Sequence, residues 1–212
     1  MILKNLGDKR RLIIFTASRS ERGLLEPIIR RCNAEPTLDT TVHTLDPKAS
    51  LTYIKDDIQK TLSLVKPDVA LVPCDRREMV PAAALCQTAN IPVFHLYAGV
   101  GVTDTVDDEY RYLISLHSAV LLCESLAAKK RLIQRDGFTN KIIHVVGCTH
   151  FDDLTVDESL CPKHTYDLIL VNPSSSKAET IKNLCEVIQW FNPSIHNIFI
   201  GPNEDPFSEE IN

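Results

Sequence analysis

Short apolar runs recur along this chain, each separated from the next by about one helix's length of amphipathic sequence. The runs are "RLIIFTA" (11–17), "TVHTL" (41–45), "DVALVP" (68–73), "IPVFHL" (91–96), "AVLLCE" (119–124) and "KIIHVVG" (141–147). Most are apolar at successive positions, as strands buried on both faces are. Between them, 20–32 carries Leu24, Leu25, Ile28 and Ile29 on one helical face, and 51–64 repeats apolar residues at helical spacing. Three further helices are predicted over 79–88, 107–116 and 125–135. Strand alternating with helix predicts an α/β, doubly wound parallel sheet covered on both faces. In such sheets ligands sit beyond the carboxyl ends of the strands, so the loops after Ala17, Pro73, Leu96 and Gly147 are the places to look for function.

After 147 the chain offers one more unit: a strand "DLILVN" (167–172), a helix over 177–191 and a strand "HNIFIG" (196–201). The aperiodic stretch 155–165, with Pro162, reads as a linker. The expected organisation is therefore a first domain over 1–154, a linker over 155–165 and an incomplete βαβ unit over 166–212. A lone βαβ unit cannot bury both faces of its two strands, so it is expected to dock on another element or a second chain, or to begin a domain that continues elsewhere.

Composition removes several function classes. A hydrophobic content of 44% over 212 residues supports a buried core, and no segment approaches the ~20 apolar residues of a membrane span. A net charge of -5, with no basic block longer than "KRR", argues against a nucleic-acid surface. Seven cysteines include no CxxC pair, and "ALCQ" and "LLCE" read as buried positions, so reduced thiols in the cytoplasm are expected rather than disulfides or zinc. No metal-ligand spacing and no cofactor motif is apparent.

Three loops carry the candidate chemistry. "TASRSERGLLEPI" is a strand end running into a polar first helical turn; its free N–H groups and Arg19 suit an anion, while Ser18 or Ser20 could equally be a helix cap. In "PCDRREMVPAAALC", Asp75 follows a buried strand and faces either the cleft or the start of the next helix. In "FHLYAGVGVTDTVDDEYR", His95 reads on its own as a satisfied core histidine, and Asp107, Asp108 and Glu109 as acids favoured in a first helical turn. Asp107 and Arg111 lie i,i+4, which suits a helix salt bridge or joint work on a substrate.

Taken together these loops resemble the UDP-N-acetylglucosamine 2-epimerase family, especially its hydrolysing, sialic-acid-pathway branch. The family's T-G-T-R-S/A-E/D-Y-G-L-L-x-P-L resembles "TASRSERGLLEPI", its G-D-R-x-E-x-L-A-A-A resembles "CDRREMVPAAA", and its H-I-x-G-G-E-x-T-x-G-x-x-D-D-x-x-R resembles "HLYAGVGVTDTVDDEYR" without a gap. "KRLIQRDGFTNKIIHVVGCTHFDDL" and "PNEDP" extend the likeness over about 11–205. The resemblance implies the first of two Rossmann-like domains in a GT-B-type architecture, with a piece of the second. It implies a UDP-sugar ligand, and the unfinished βαβ unit makes a homodimer the expected assembly. It also implies a reaction in which UDP leaves, a base removes the C2 proton to give a 2-acetamidoglucal, and water or UDP adds back with C2 inverted. By matching position, Asp75, Asp107 and Arg111 would be catalytic, and Arg19, Ser20, His95, Gly99 and Asn172 would bind substrate.

Some positions depart from the family pattern. Val100 stands at the glutamate of G-G-E, Ala98 at its first glycine, and Asn172 at the histidine of a second-half T-Y-H-P. Valine cannot accept a proton and an amide is no base near neutrality. A non-catalytic nucleotide-sugar-binding relative, or a fragment, is therefore the alternative expectation.

Overall fold

The computed structural model describes residues 9–101, 106–135, 137–174, 176–192, 194–202 and 207–211, with the side chains of Arg19, Ser20 and Leu160 outside that description. The backbone divides into two compact units, Met1–Leu154 and Thr155–Asn212.

The first unit alternates strand and helix in the order β1 (Arg10–Thr16), α1 (Arg19–Ala34), β2 (Leu38–Thr44), α2 (Leu51–Val65), β3 (Val69–Pro73), α3 (Met79–Thr88), β4 (Val93–Leu96), α4 (Val106–His117), β5 (Val120–Cys123), α5 (Leu126–Ile133) and β6 (Ile142–Val145). A 3-10 turn, Thr149–Asp153, follows. The six strands form one sheet in the order β2-β1-β3-β4-β5-β6, and every neighbouring pair is parallel. The expected α/β, Rossmann-like class is what the chain adopts.

Strand alternation builds two cores from one sheet, because successive side chains point to opposite faces. Ile13 and Phe15 of β1, with Ala70 and Val72 of β3, bury against Ile54, Ile58 and Leu62 of α2 and Met79, Ala82 and Ala83 of α3. Leu12 and Ile14 turn the other way and pack on Leu25 and Ile29 of α1. A third cluster, with Leu121, Ala128, Leu132 and Phe138, seats α5 on the sheet. The α2 residues recur every four positions, which is why that helix is held by one stripe. Ser50 caps its start, accepting the Tyr53 N–H at 3.2 Å.

The edge strand β2 begins at Leu38, three residues before the predicted 41. Its added residues, Leu38, Asp39 and Thr40, pair with Arg10, Arg11 and Leu12; their mostly polar character hid them from a pattern based on apolar runs. β4 and β6 are shorter than their apolar runs: ladder pairing spans Val93–Leu96 and Ile142–Val145.

The second unit has β7 (Tyr166–Leu170) and β8 (His196–Ile200) paired in parallel and connected through α6 (Lys177–Gln189). Ser176 caps α6. Thr180 Oγ1 accepts the Ser174 N–H and donates to the Ser176 carbonyl, both at 2.9 Å, fixing the turn that follows β7. The stretch 155–165 contains one short 3-10 turn, Glu158–Leu160.

Ile58→Ala should cost about 2–5 kcal/mol in denaturant unfolding, since it removes buried methyl groups from the α2 stripe. Lys60→Ala, on the exposed face of the same helix, should stay within about 0.5 kcal/mol. Equal losses from the two would contradict the packing assigned to α2.

Candidate functional site

Strand order reverses at β1: the chain steps outward to β2, then returns across β1 to β3. Connections leave the β1/β3 boundary in opposite directions and open a crevice at the carboxyl ends of these strands. Three loops meet there.

The first loop is shaped by a capping box. Ser18, not Ser20, is the N-cap of α1: its hydroxyl accepts the Glu21 N–H at 3.2 Å. The Glu21 carboxylate accepts the Ala17 N–H at 2.8 Å and the Ser18 N–H at 3.0 Å. Burial raises the Glu21 pKa above its usual range, against the lowering effect of those two backbone bonds. The side chains of Arg19 and Ser20 lie outside the described residues.

In the second loop Cys74 takes a left-handed backbone, φ 58°, and Asp75 follows. Asp75 is not a helix cap. The residue at the start of α3 is Glu78, which makes no capping bond and instead accepts Arg76 Nε at 2.5 Å. Asp75 reaches across to Arg111, whose Nη2 donates to its carboxylate. Arg77 anchors the same loop to the one after β2 by donating to the carbonyls of Pro47 and Ala49 at 3.2 and 3.1 Å.

Arg111, only 5% exposed, also donates through Nη1 to the carbonyl of Val100 and, at 3.4 Å, to Asp108. This corrects the expected Asp107–Arg111 pair. The guanidinium points inward to Asp75 and takes the i,i+3 acid, while Asp107 is exposed at the helix start. Asp107 still bears on the site: burial, then the Asp107 charge, raises the Asp75 pKa, and Arg111 only partly offsets them.

His95 has no exposed surface, which puts it behind the crevice rather than on its wall. Its Nε2–H donates to the Cys74 carbonyl at 2.7 Å, so Nδ1 is the acceptor for the Ser115 hydroxyl, also at 2.7 Å. A core histidine with both nitrogens occupied holds the left-handed Cys74 in place; direct contact with a substrate would require it to leave these partners. Burial depresses its pKa from 6.5 to about 4.

In the third loop Gly99 adopts φ +74°, and a Cβ there would lie 2.5 Å from the Ala128 carbonyl and 2.7 Å from Leu132 Cγ. Only glycine fits that backbone against α5. Arg131 Nη1 donates to the Gly99 carbonyl at 2.5 Å, tying the loop to α5 a second time. The Tyr97 hydroxyl is 2.8 Å from Thr149 Oγ1, which joins this loop to the turn after β6.

Leu24, Cys74, Asp75, Tyr97, Val100, Arg111, Glu124 and Cys148 line a cavity of about 210 Å³ at this crevice. Glu124 and Cys148 were not singled out from the sequence. The available signal was positional: Glu124 leaves β5 as Asp75 leaves β3. A larger surface cavity, about 610 Å³, lies at the opposite end of the sheet around Arg11, Lys66, Asp68 and Ile91, away from the strand ends where such folds bind ligands. Among the described residues no group of three or more His, Cys, Asp or Glu could hold a metal ion, and no helix is long and apolar enough to cross a membrane. Asn172 belongs to the second unit, exposed in the segment between β7 and α6. The "PNEDP" motif lies largely at 203–206, outside the described residues.

The parallel doubly wound sheet, with acids and a buried arginine at its strand-end crevice, places the first unit among Rossmann-like α/β domains. The sequence model for UDP-N-acetylglucosamine 2-epimerase matches residues 4–212, and the chain belongs to that family. It is 28% identical to a Campylobacter jejuni protein named GDP/UDP-N,N'-diacetylbacillosamine 2-epimerase (hydrolyzing), over 60% of this chain and 42% of that one. It is 29% identical to the Neisseria meningitidis UDP-N-acetylglucosamine 2-epimerase, over 69% of this chain and 42% of that one. The chain thus spans less than half the length of these relatives. Among solved structures, the Methanocaldococcus jannaschii UDP-GlcNAc 2-epimerase in complex with UDP-GlcNAc and UDP superposes with a TM-score of 0.74 at 19% identity, covering 94% of this chain and 67% of that one. The Neisseria meningitidis enzyme bound to UDP-GlcNAc gives 0.72 at 18%, covering 94% and 68%. These two likenesses concern the fold.

The neutral, buried state of His95 makes stability depend on pH. An imidazole with a pKa of about 4 folded and 6.5 unfolded contributes fully above 6.5, and its contribution is lost as pH falls from 6.5 towards 4. Glu21 and Asp75, with raised values, act in the opposite sense, so the comparison is with His95→Gln. Over that window the wild type should lose on the order of 3 kcal/mol more than the variant in denaturant titrations. Parallel pH profiles would contradict the buried neutral state.

Proposed function

We propose that this chain carries the sugar side of a UDP-sugar 2-epimerase site and acts on UDP-GlcNAc or a close relative by elimination of UDP and proton transfer at C2. The observation that carries the reading is the buried Arg111 holding Asp75 at the β1/β3 crevice, with Asp107 and Asp108 beside them. The C2 proton of the sugar is not acidic until the C1–O bond loosens. The site must therefore stabilise positive charge at C1, accept a proton and receive a departing diphosphate. In this reading Asp75 and Asp107 provide the carboxylates and Arg111 orients Asp75. Arg19 and Ser20, at the start of α1, meet the nucleotide where helical N–H groups favour an anion. Gly99 sets the loop that borders the sugar, and His95 supports Cys74 from behind. The setting is the cytoplasm and the working form a homodimer.

One observation favours a second reading, a binding protein without turnover: Val100 lines the cavity and offers no proton acceptor.

Incubation with UDP-GlcNAc in D₂O separates the two. The epimerase reading expects deuterium at C2 and free UDP, both reduced about 10²–10⁴-fold in Asp75→Asn. A rise in melting temperature with UDP-GlcNAc, but no deuterium at high protein concentration, would leave only the binding reading, because a ligand stabilises the state it binds.

A further inference from the structure

We propose that Glu124 is a catalytic base of this site, taking the C2 proton of the sugar; this rests on the epimerase reading above. Among the described residues Glu124 and Asp75 are the carboxylates on the wall of the 210 Å³ cavity, and they are held differently. Asp75 is engaged by Arg111, whereas among the described residues no hydrogen bond or ion pair fixes the Glu124 carboxylate. The other groups there are poor acceptors. Burial pushes the Cys74 thiol up to about 12, Val100 is apolar, and the Tyr97 hydroxyl is engaged by Thr149.

Sheet register fixes where the two acids stand. Pro73 pairs with Leu96, and Leu96 with Leu122, so these three residues form one rung across β3, β4 and β5. Asp75 and Glu124 each lie two residues beyond that rung. Asp75 follows the left-handed Cys74 and Glu124 follows the end of β5, on the two strands that flank β4, whose axes at ~4.8 Å per strand lie about 10 Å apart. That spacing admits a sugar ring between two carboxylates. Inverting C2 needs such a pair, since the proton must leave one face of the ring and return to the other.

The step balances without any further reagent. The C1–O bond breaks and its electron pair leaves with the UDP phosphate oxygen. The C2–H pair becomes the C1=C2 double bond of the 2-acetamidoglucal, and the proton rests on Glu124. Exchange with solvent returns the carboxylate. Water then bonds to C1 as C2 takes a solvent-derived proton on the opposite face.

The test measures C2 deuteration and UDP release by the full chain in D₂O for wild type, Glu124→Gln and Val100→Glu/Glu124→Gln, with the UDP-GlcNAc-induced melting shift recorded for each. Expected are a loss of exchange of about 10²–10⁴-fold in Glu124→Gln with the melting shift retained, and recovery of exchange in the double variant. Exchange in Glu124→Gln within threefold of wild type would overturn the role of Glu124 and leave the epimerase reading intact. Loss of the ligand-induced shift in step with exchange would also overturn it, by making Glu124 a binding residue. No exchange in wild type would overturn both.

Discussion

The Arg111 guanidinium ties together the parts of this site that are farthest apart in sequence. From the second turn of α4 it reaches Asp75 after β3, Val100 after β4 and Asp108 in its own first turn. A buried cation costs several kcal/mol unless it is paired and hydrogen-bonded, so the side chain cannot be moved without losing these partners together. Among the described residues its buried Nε has no hydrogen-bond partner, which makes the remaining bonds more consequential. The same bonds set the acids apart: Asp75 and Asp108 are held by the arginine, while among the described residues Asp107 and Glu124 have no such bond to it.

Around that pair, the loops are fixed by polar contacts to elements behind them. His95 bridges the Cys74 carbonyl and Ser115, Glu21 pins the backbone after β1, Arg77 holds the loops after β2 and β3 together, and Arg131 holds Gly99. Each is a charged or imidazole side chain spent on backbone, which keeps the crevice edge from rearranging. Such preorganisation is what a site that must stabilise developing charge requires.

The strand and helix sequence of the first unit could be read from apolar periodicity, because strands buried on both faces announce themselves. The polar start of β2 could not, since its pairing with β1 owes nothing to hydrophobic pattern. Asp75 and Arg111 were legible through family resemblance, but not their pairing. Local spacing favoured Asp107 as the partner, and the actual one lies 36 residues away. His95 shows the reverse: its own reading as a satisfied core residue agrees with its burial, and the resemblance alone would have placed it on the ligand. Glu124 escaped because its significance comes from strand order, which brings the end of β5 level with the end of β3 across β4.

Backbone amide chemical-shift mapping of the chain with UDP-GlcNAc would locate the ligand relative to Arg111. The largest changes should fall on 74–78, 97–101 and 108–111, the segments joined by Arg111, and on Glu124. Changes gathered instead around Lys66, Asp68 and Ile91, at the larger cavity on the opposite end of the sheet, would contradict a site built on the Arg111–Asp75 pair.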